Sequence, residues 1–102
     1  MTTEQVLTKA LDVLGPKGER WCKGRYHTEY GHCMQGAVHR VIPSDYDLQT
    51  KCWAAMISVL PPTDGNPIAW FNDDPERTWP EVKAAFLKAI ELARAEGRQA
   101  EP

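Results

Sequence analysis

Proline and glycine punctuate this chain at intervals that leave room for helices and little else. Gly15-Pro16, Pro43, Pro61-Pro62 and Gly97 are stops, because glycine accepts a left-handed cap and proline cannot continue a helical ladder. Between the stops, apolar residues recur at helical spacing. Val6, Leu7, Ala10, Leu11 and Leu14 form one stripe over 4–14, with Thr2 or Thr3 as cap. Cys33, Ala37 and Val41 form a second over 32–41. Leu48, Cys52, Ala55, Met56 and Val59 form a third, opened by Ser44-x-x-Asp47 and ended at Leu60. Thr78-Trp79-Pro80-Glu81 has the pattern of a capping box for a fourth, which runs through Val82, Ala85, Phe86, Ala89, Ile90 and Ala93 to Gly97. No stretch alternates as a half-buried strand does.

The expectation is therefore an all-α single domain over 1–97. It has about four helices, a long irregular loop (17–31) between the first and second, and a frayed tail at 98–102. At 102 residues there is room for one core only. Thr63 to Pro67 reads as a turn, and Ile68-Ala69-Trp70-Phe71 as an apolar plug without an assignable element. Gly36, inside the second helix, fits a close approach by another backbone or by a ring such as Trp21.

Charge narrows the function classes. Twelve Lys and Arg against 14 Asp and Glu leave −2, which argues against binding nucleic acid by bulk charge. Lys17, Arg20, Lys23, Arg25 and His27 are the one basic cluster. With Trp21 and Tyr26 interleaved it has the composition of a single-strand platform, but Glu19 and Glu29 dilute it. No apolar run approaches the ~20 residues of a membrane span, and the first residues lack a secretory signal pattern. Three cysteines, an odd number, read as reduced thiols in a cytoplasmic protein.

Cys22, His27, His32, Cys33, His39 and Cys52 do not repeat the paired spacing of zinc fingers, so neither a metal nor a cofactor is expected. Cys33, beside His32 at a helix start, is the one nucleophile candidate, and a buried structural cysteine is the simpler account. The turn Asn72-Asp73-Asp74-Pro75-Glu76 is explained by side chains bonding their own nearby backbone. Four tryptophans are many for this length. Trp53 lies off its helix's stripe and Trp79 opens the last helix, positions that suit a partner surface.

Taken together, Trp21-x-x-Gly24, Cys33-x-x-Gly36-Ala37, Asn72-Asp73, Arg77-Thr78 and Val82 resemble the pattern of an uncharacterised family of small actinobacterial and bacteriophage proteins, over 21 to about 93. That family commonly has tryptophan directly before Asn-Asp, whereas here Phe71 stands there and Trp70 precedes it. The resemblance implies no activity, substrate or catalytic residue. It implies a phage or mobile-element setting.

The leading functional expectation is a small non-enzymatic protein-interaction domain, a phage-encoded factor acting on a host or phage protein, with a homodimer compatible. The alternative is a metal- or small-ligand-binding domain, an enzyme among its forms, centred on 21–33 and 72–74. The candidate surface residues are Trp21, His27, His32, Trp53, Asn72, Asp73 and Trp79. The alternative requires the two segments to meet, so that Cys22, His27, His32 and Asp73 line one pocket.

Overall fold

A computed structural model describes residues 1–29 and 31–99, with side chains to Gly97. Among these residues there are five helices, Thr3–Leu14 (α1), Met34–Val41 (α2), Tyr46–Ser58 (α3), Pro67–Asp73 (α4) and Trp79–Gln99 (α5). α1 opens on a complete capping box. The Gln5 N–H donates to Thr2 Oγ1 at 3.1 Å, and the Thr2 N–H to Gln5 Oε1 at 2.9 Å. The helix packs against both α2 and α5. Its stripe of Val6, Leu7, Ala10 and Leu14 meets Met34, Val38, Met56, Ile68 and Phe86 in one core. An ion pair between Arg94 and Glu4, at 2.8 Å, joins α5 to the start of α1. No helix among the described residues is long and apolar enough to cross a membrane.

The all-helical class holds, while the count of four does not. The plug Ile68–Phe71 belongs to α4, whose cap is Asn66: its Oδ1 accepts from the N–H groups of Ile68 (3.1 Å) and Ala69 (3.2 Å). Pro67 fills the first helical position, where a missing N–H breaks no bond. Ile68 and Phe71 are buried, so this short helix is stabilised by the core it plugs.

Other boundaries move for local reasons. α2 begins at Met34, two residues later than expected, because Cys33 is its cap and Sγ accepts from the Gly36 N–H at 3.3 Å. α3 is capped by Asp45, which accepts from the Leu48 N–H at 3.1 Å, and not by Ser44. At α5 the Glu81 carboxylate accepts from both the N–H and the hydroxyl of Thr78, at 2.9 and 3.0 Å, so the glutamate half of the box forms. α5 continues through Gly97 to Gln99, and the remainder of the expected tail, 100–102, lies outside the described residues.

The connection between α1 and α2 spans 15–33 and is less irregular than its composition suggests. The Cys22 N–H donates to His32 O at 2.9 Å, and the His32 N–H to Arg20 O at 2.7 Å. These two bonds make an isolated bridge between Trp21 and His32, and those from the Thr28 N–H to Gly31 O (2.8 Å) and from the Cys33 N–H to Tyr26 O (3.2 Å) make a second between His27 and His32.

Candidate functional site

The two motif-bearing segments do meet, and Asn72 joins them. It sits at the end of α4, 1% exposed, and its side chain makes four hydrogen bonds. Oδ1 accepts from Trp21 Nε1 at 2.8 Å and from the Met34 N–H at 3.0 Å. Nδ2 donates to Cys22 O at 3.0 Å and to Asp73 Oδ1 at 2.8 Å. Two donors and two lone pairs are the whole capacity of an amide. Asp73 Oδ1 also accepts from the Gly24 N–H at 2.7 Å, and Lys23 Nζ donates to the carbonyls of Asp74 (2.7 Å) and Pro75 (3.2 Å). Only Asp74 bonds locally as expected of the turn, accepting from the Glu76 N–H at 2.9 Å.

This is a latch and not a pocket. Cys22 and Asp73 belong to it, but His27 and His32 lie on another side of the segment, with His39 of α2. His27 Nδ1 is 2.6 Å from His32 Nδ1, and His27 Nε2 is 3.3 Å from His39 Nδ1. His27 thus spends each nitrogen on a different ring, and the three imidazoles form a chain with no common centre. Among the described residues no group of three His, Cys, Asp or Glu is placed to hold a metal ion.

Three of the four tryptophans, Trp21, Trp53 and Trp79, pack half-buried against the core. The Trp21 and Trp79 rings lie 6.2 Å apart, and Trp79 Nε1 donates to Pro16 O at 3.4 Å. Among the described residues Trp70, Tyr46 and Tyr26 are the exposed Trp, Tyr and Phe side chains. Arg77 closes the turn: Nε donates to Phe71 O at 2.8 Å, the guanidinium lies 3.7 Å from the Phe71 ring centre, and Nη1 pairs with Glu81 at 2.9 Å.

Burial raises the pKa of all three thiols, Cys52 to about 11. At Cys33 the N–H groups of Gly36 and Gln35 at the helix start do pull it down, but burial outweighs them. No described cysteine is therefore a ready nucleophile at neutral pH.

A second site emerges on the far side of the segment, from residues that sequence reasoning did not group. Lys9 and Val13 of α1, Arg20 and His32 of the loop, Arg40 and Val41 of α2, and Met1 line an open groove of about 420 Å³. Among the described residues no acidic side chain lines it. Lys9 and Arg40 look like solvated helix faces in sequence, and Arg20 like one of a diluted loop cluster. In fact that cluster divides: Lys23 goes to the turn beyond the latch and Arg20 to the groove.

The histidines feel this field. His27 is pushed below the usual 6.5 by burial first, then by His39 and Arg40. His32 is pushed down by burial first, then by His27, Arg40 and Arg20. The fold favours both neutral forms, so below 6.5 the unfolded chain binds more protons and native stability is lost as pH falls. Two Nδ1 atoms bonded to each other also need one bare nitrogen, which double protonation removes. Urea midpoints should be level above about pH 7 and decline between about pH 6.5 and 5, before carboxylates protonate. The decline should be much smaller in His27→Gln; an unchanged decline would contradict the chain of imidazoles as its source.

The model of a family of unknown function, DUF6197, matches residues 1–92. The chain belongs to this family. No curated protein and no solved structure matches it. Of the motifs singled out in the sequence, Trp21, Gly24, Asn72 and Asp73 make the latch, Cys33 caps α2, Gly36 lies against the Tyr26 carbonyl and Arg77 holds the turn.

Proposed function

We propose that this DUF6197 chain is a non-enzymatic binding domain that captures a small anionic ligand where the 15–33 segment meets α1 and α2. The observation that carries the reading is the groove itself, in which two guanidinium groups, an ammonium and an imidazole share one concave surface without an acidic neighbour in its lining. Elsewhere, Asn72 and Asp73 are committed to the latch, and Cys33 and Cys52 are buried with their pKa raised. A larger cavity, about 710 Å³ between the ends of α1 and α5, has mixed charge, with Glu4 and Arg94 paired to each other.

A second reading is the protein-interaction one, an accessory factor of an actinobacterium or its phage that binds a host or phage protein, with self-association as one form. The exposed aromatic side chains favour it, Tyr46 at 73% and Trp70 at 50%.

Native mass spectrometry separates the two. The chain is incubated with the small-molecule fraction of a bacterial lysate, desalted and weighed, in parallel with an Arg20→Gln/Arg40→Gln variant. The ligand reading expects a discrete added mass on the first and none on the second. Bare chains in both samples would overturn it in favour of the interaction reading.

A further inference from the structure

Resting on the ligand reading, we propose that the groove between α1, the 15–33 segment and α2 takes a phosphate monoester of a small organic molecule, its dianionic head held by Lys9, Arg20 and Arg40 with His32 as a fourth donor. Three cationic side chains along one groove repel one another, and among the described residues none of the three makes an ion pair; the pairs that are made belong to Arg77 and Arg94. A bound anion relieves that repulsion.

The number of charges decides which anion. A carboxylate brings one charge and two oxygens, too few for three cationic side chains of which, among the described residues, only Arg20 has a carboxylate, Glu19, acting on it. A phosphate monoester brings close to two charges at neutral pH and three terminal oxygens, enough for two guanidinium forks and an ammonium. The rest of the groove fits an organic body better than a bare ion. Its volume, about 420 Å³, lies within the range of small-molecule sites, and Val13 and Val41 supply apolar wall.

His32 adds direction. Its Nδ1 is taken by His27, so Nε2 is the nitrogen left for a ligand. When His39 Nδ1–H donates to His27 Nε2 and His27 Nδ1–H donates to His32 Nδ1, the His32 proton sits on Nε2. A neutral imidazole then donates to a phosphate oxygen. His27 and His39 are positioning residues in this scheme, fixing a tautomer without touching the ligand.

Isothermal titration at constant ionic strength tests the proposal with ribose 5-phosphate, inorganic phosphate, acetate and a single-stranded oligonucleotide as probes. Ribose 5-phosphate should bind most tightly, inorganic phosphate more weakly and acetate not measurably. Arg40→Gln and Arg20→Gln should each weaken ribose 5-phosphate by about tenfold. Without ligand these variants should melt no lower than the parent, because a repulsion is removed; a purely structural arginine would lower the melting temperature. Binding that survives both substitutions, equal binding of acetate, or tighter binding of the oligonucleotide with a steep salt dependence would each overturn the proposal. So would no binding of either phosphate probe. If the native mass experiment still gives an arginine-dependent adduct in that case, the groove remains the site and the ligand belongs to another class of anion.

Discussion

Asn72→Ala will destabilise the native state by about 4 kcal/mol, among the largest effects of any polar substitution in this chain. The reason is the groups it strands more than the bonds it removes. The indole N–H of Trp21, the N–H of Met34 and the carbonyl of Cys22 all depend on one amide that is 1% exposed. A buried group left without a partner costs about 1–3 kcal/mol, and the partly buried ones recover some of that from water. Met34 is the first residue of α2, so the loss reaches the helix through its N-terminus. Asn72→Asp keeps the acceptor for Trp21 and Met34 but replaces two donors with lone pairs, setting them against Cys22 O and the Asp73 carboxylate. It should rescue little. Urea denaturation checks both variants, and a loss below about 1 kcal/mol in Asn72→Ala would show that the latch closes without the amide.

Gly36→Ala is the second large effect, at about 3 kcal/mol, and it acts through one methyl group. A Cβ at Gly36 lands on the carbonyl of Tyr26, and the helix and the loop cannot both keep their places. The neighbour is backbone, so no side chain can swing aside. Giving way means losing the bond from the Cys33 N–H to Tyr26 O, at 3.2 Å, and with it the cap region of α2. Loop displacement also pulls His27 from His39. The histidine chain should therefore break in Gly36→Ala, visible as separated imidazole titrations by NMR, while the α1–α5 packing persists. A variant of parental stability with an intact chain would contradict the close approach.

The helices were legible where packing and punctuation agree. Leu7 and Leu14, or Phe86 and Ile90, share a face by spacing alone, and prolines mark where those faces end. α4 was hidden because four apolar residues are too few to show a period. Its own start signals, Asn66 as cap and Pro67 after it, read equally well as the end of a turn. Gly36 announced a close approach without naming the Tyr26 backbone as the neighbour.

The site was less legible, for a reason of distance along the chain. Asn72 looks like a turn residue, and Trp21 like a loose anchor, until a fold brings positions about fifty residues apart within 2.8 Å. In sequence His39 lies on the second helix and away from the loop of His27, and nothing in the spacing shows that the ring of His39 reaches back to His27. The groove draws Lys9, Arg20 and Arg40 from three separate segments, each of which has an ordinary solvated account in isolation. Local patterns carry helix faces and caps. Convergence of charge across segments appears only once the chain is folded.

The groove depends on residues 20–29 and 31–33 being an ordered part of the fold, because that order is what carries Arg20 and His32 to it. Amide hydrogen exchange followed by NMR tests this directly. The N–H groups of Cys22, Gly24, His32 and Met34, each hydrogen-bonded, should exchange far more slowly than in a free peptide. In Asn72→Ala that protection should collapse to free-peptide rates at these four positions, while the α5 amides of Phe86 and Ile90 stay protected, slowed less than in the parent only by the global loss of stability. Exchange at free-peptide rates across 20–29 and 31–33 in the parent chain would contradict the account, since a loop without the latch has no means of building the groove.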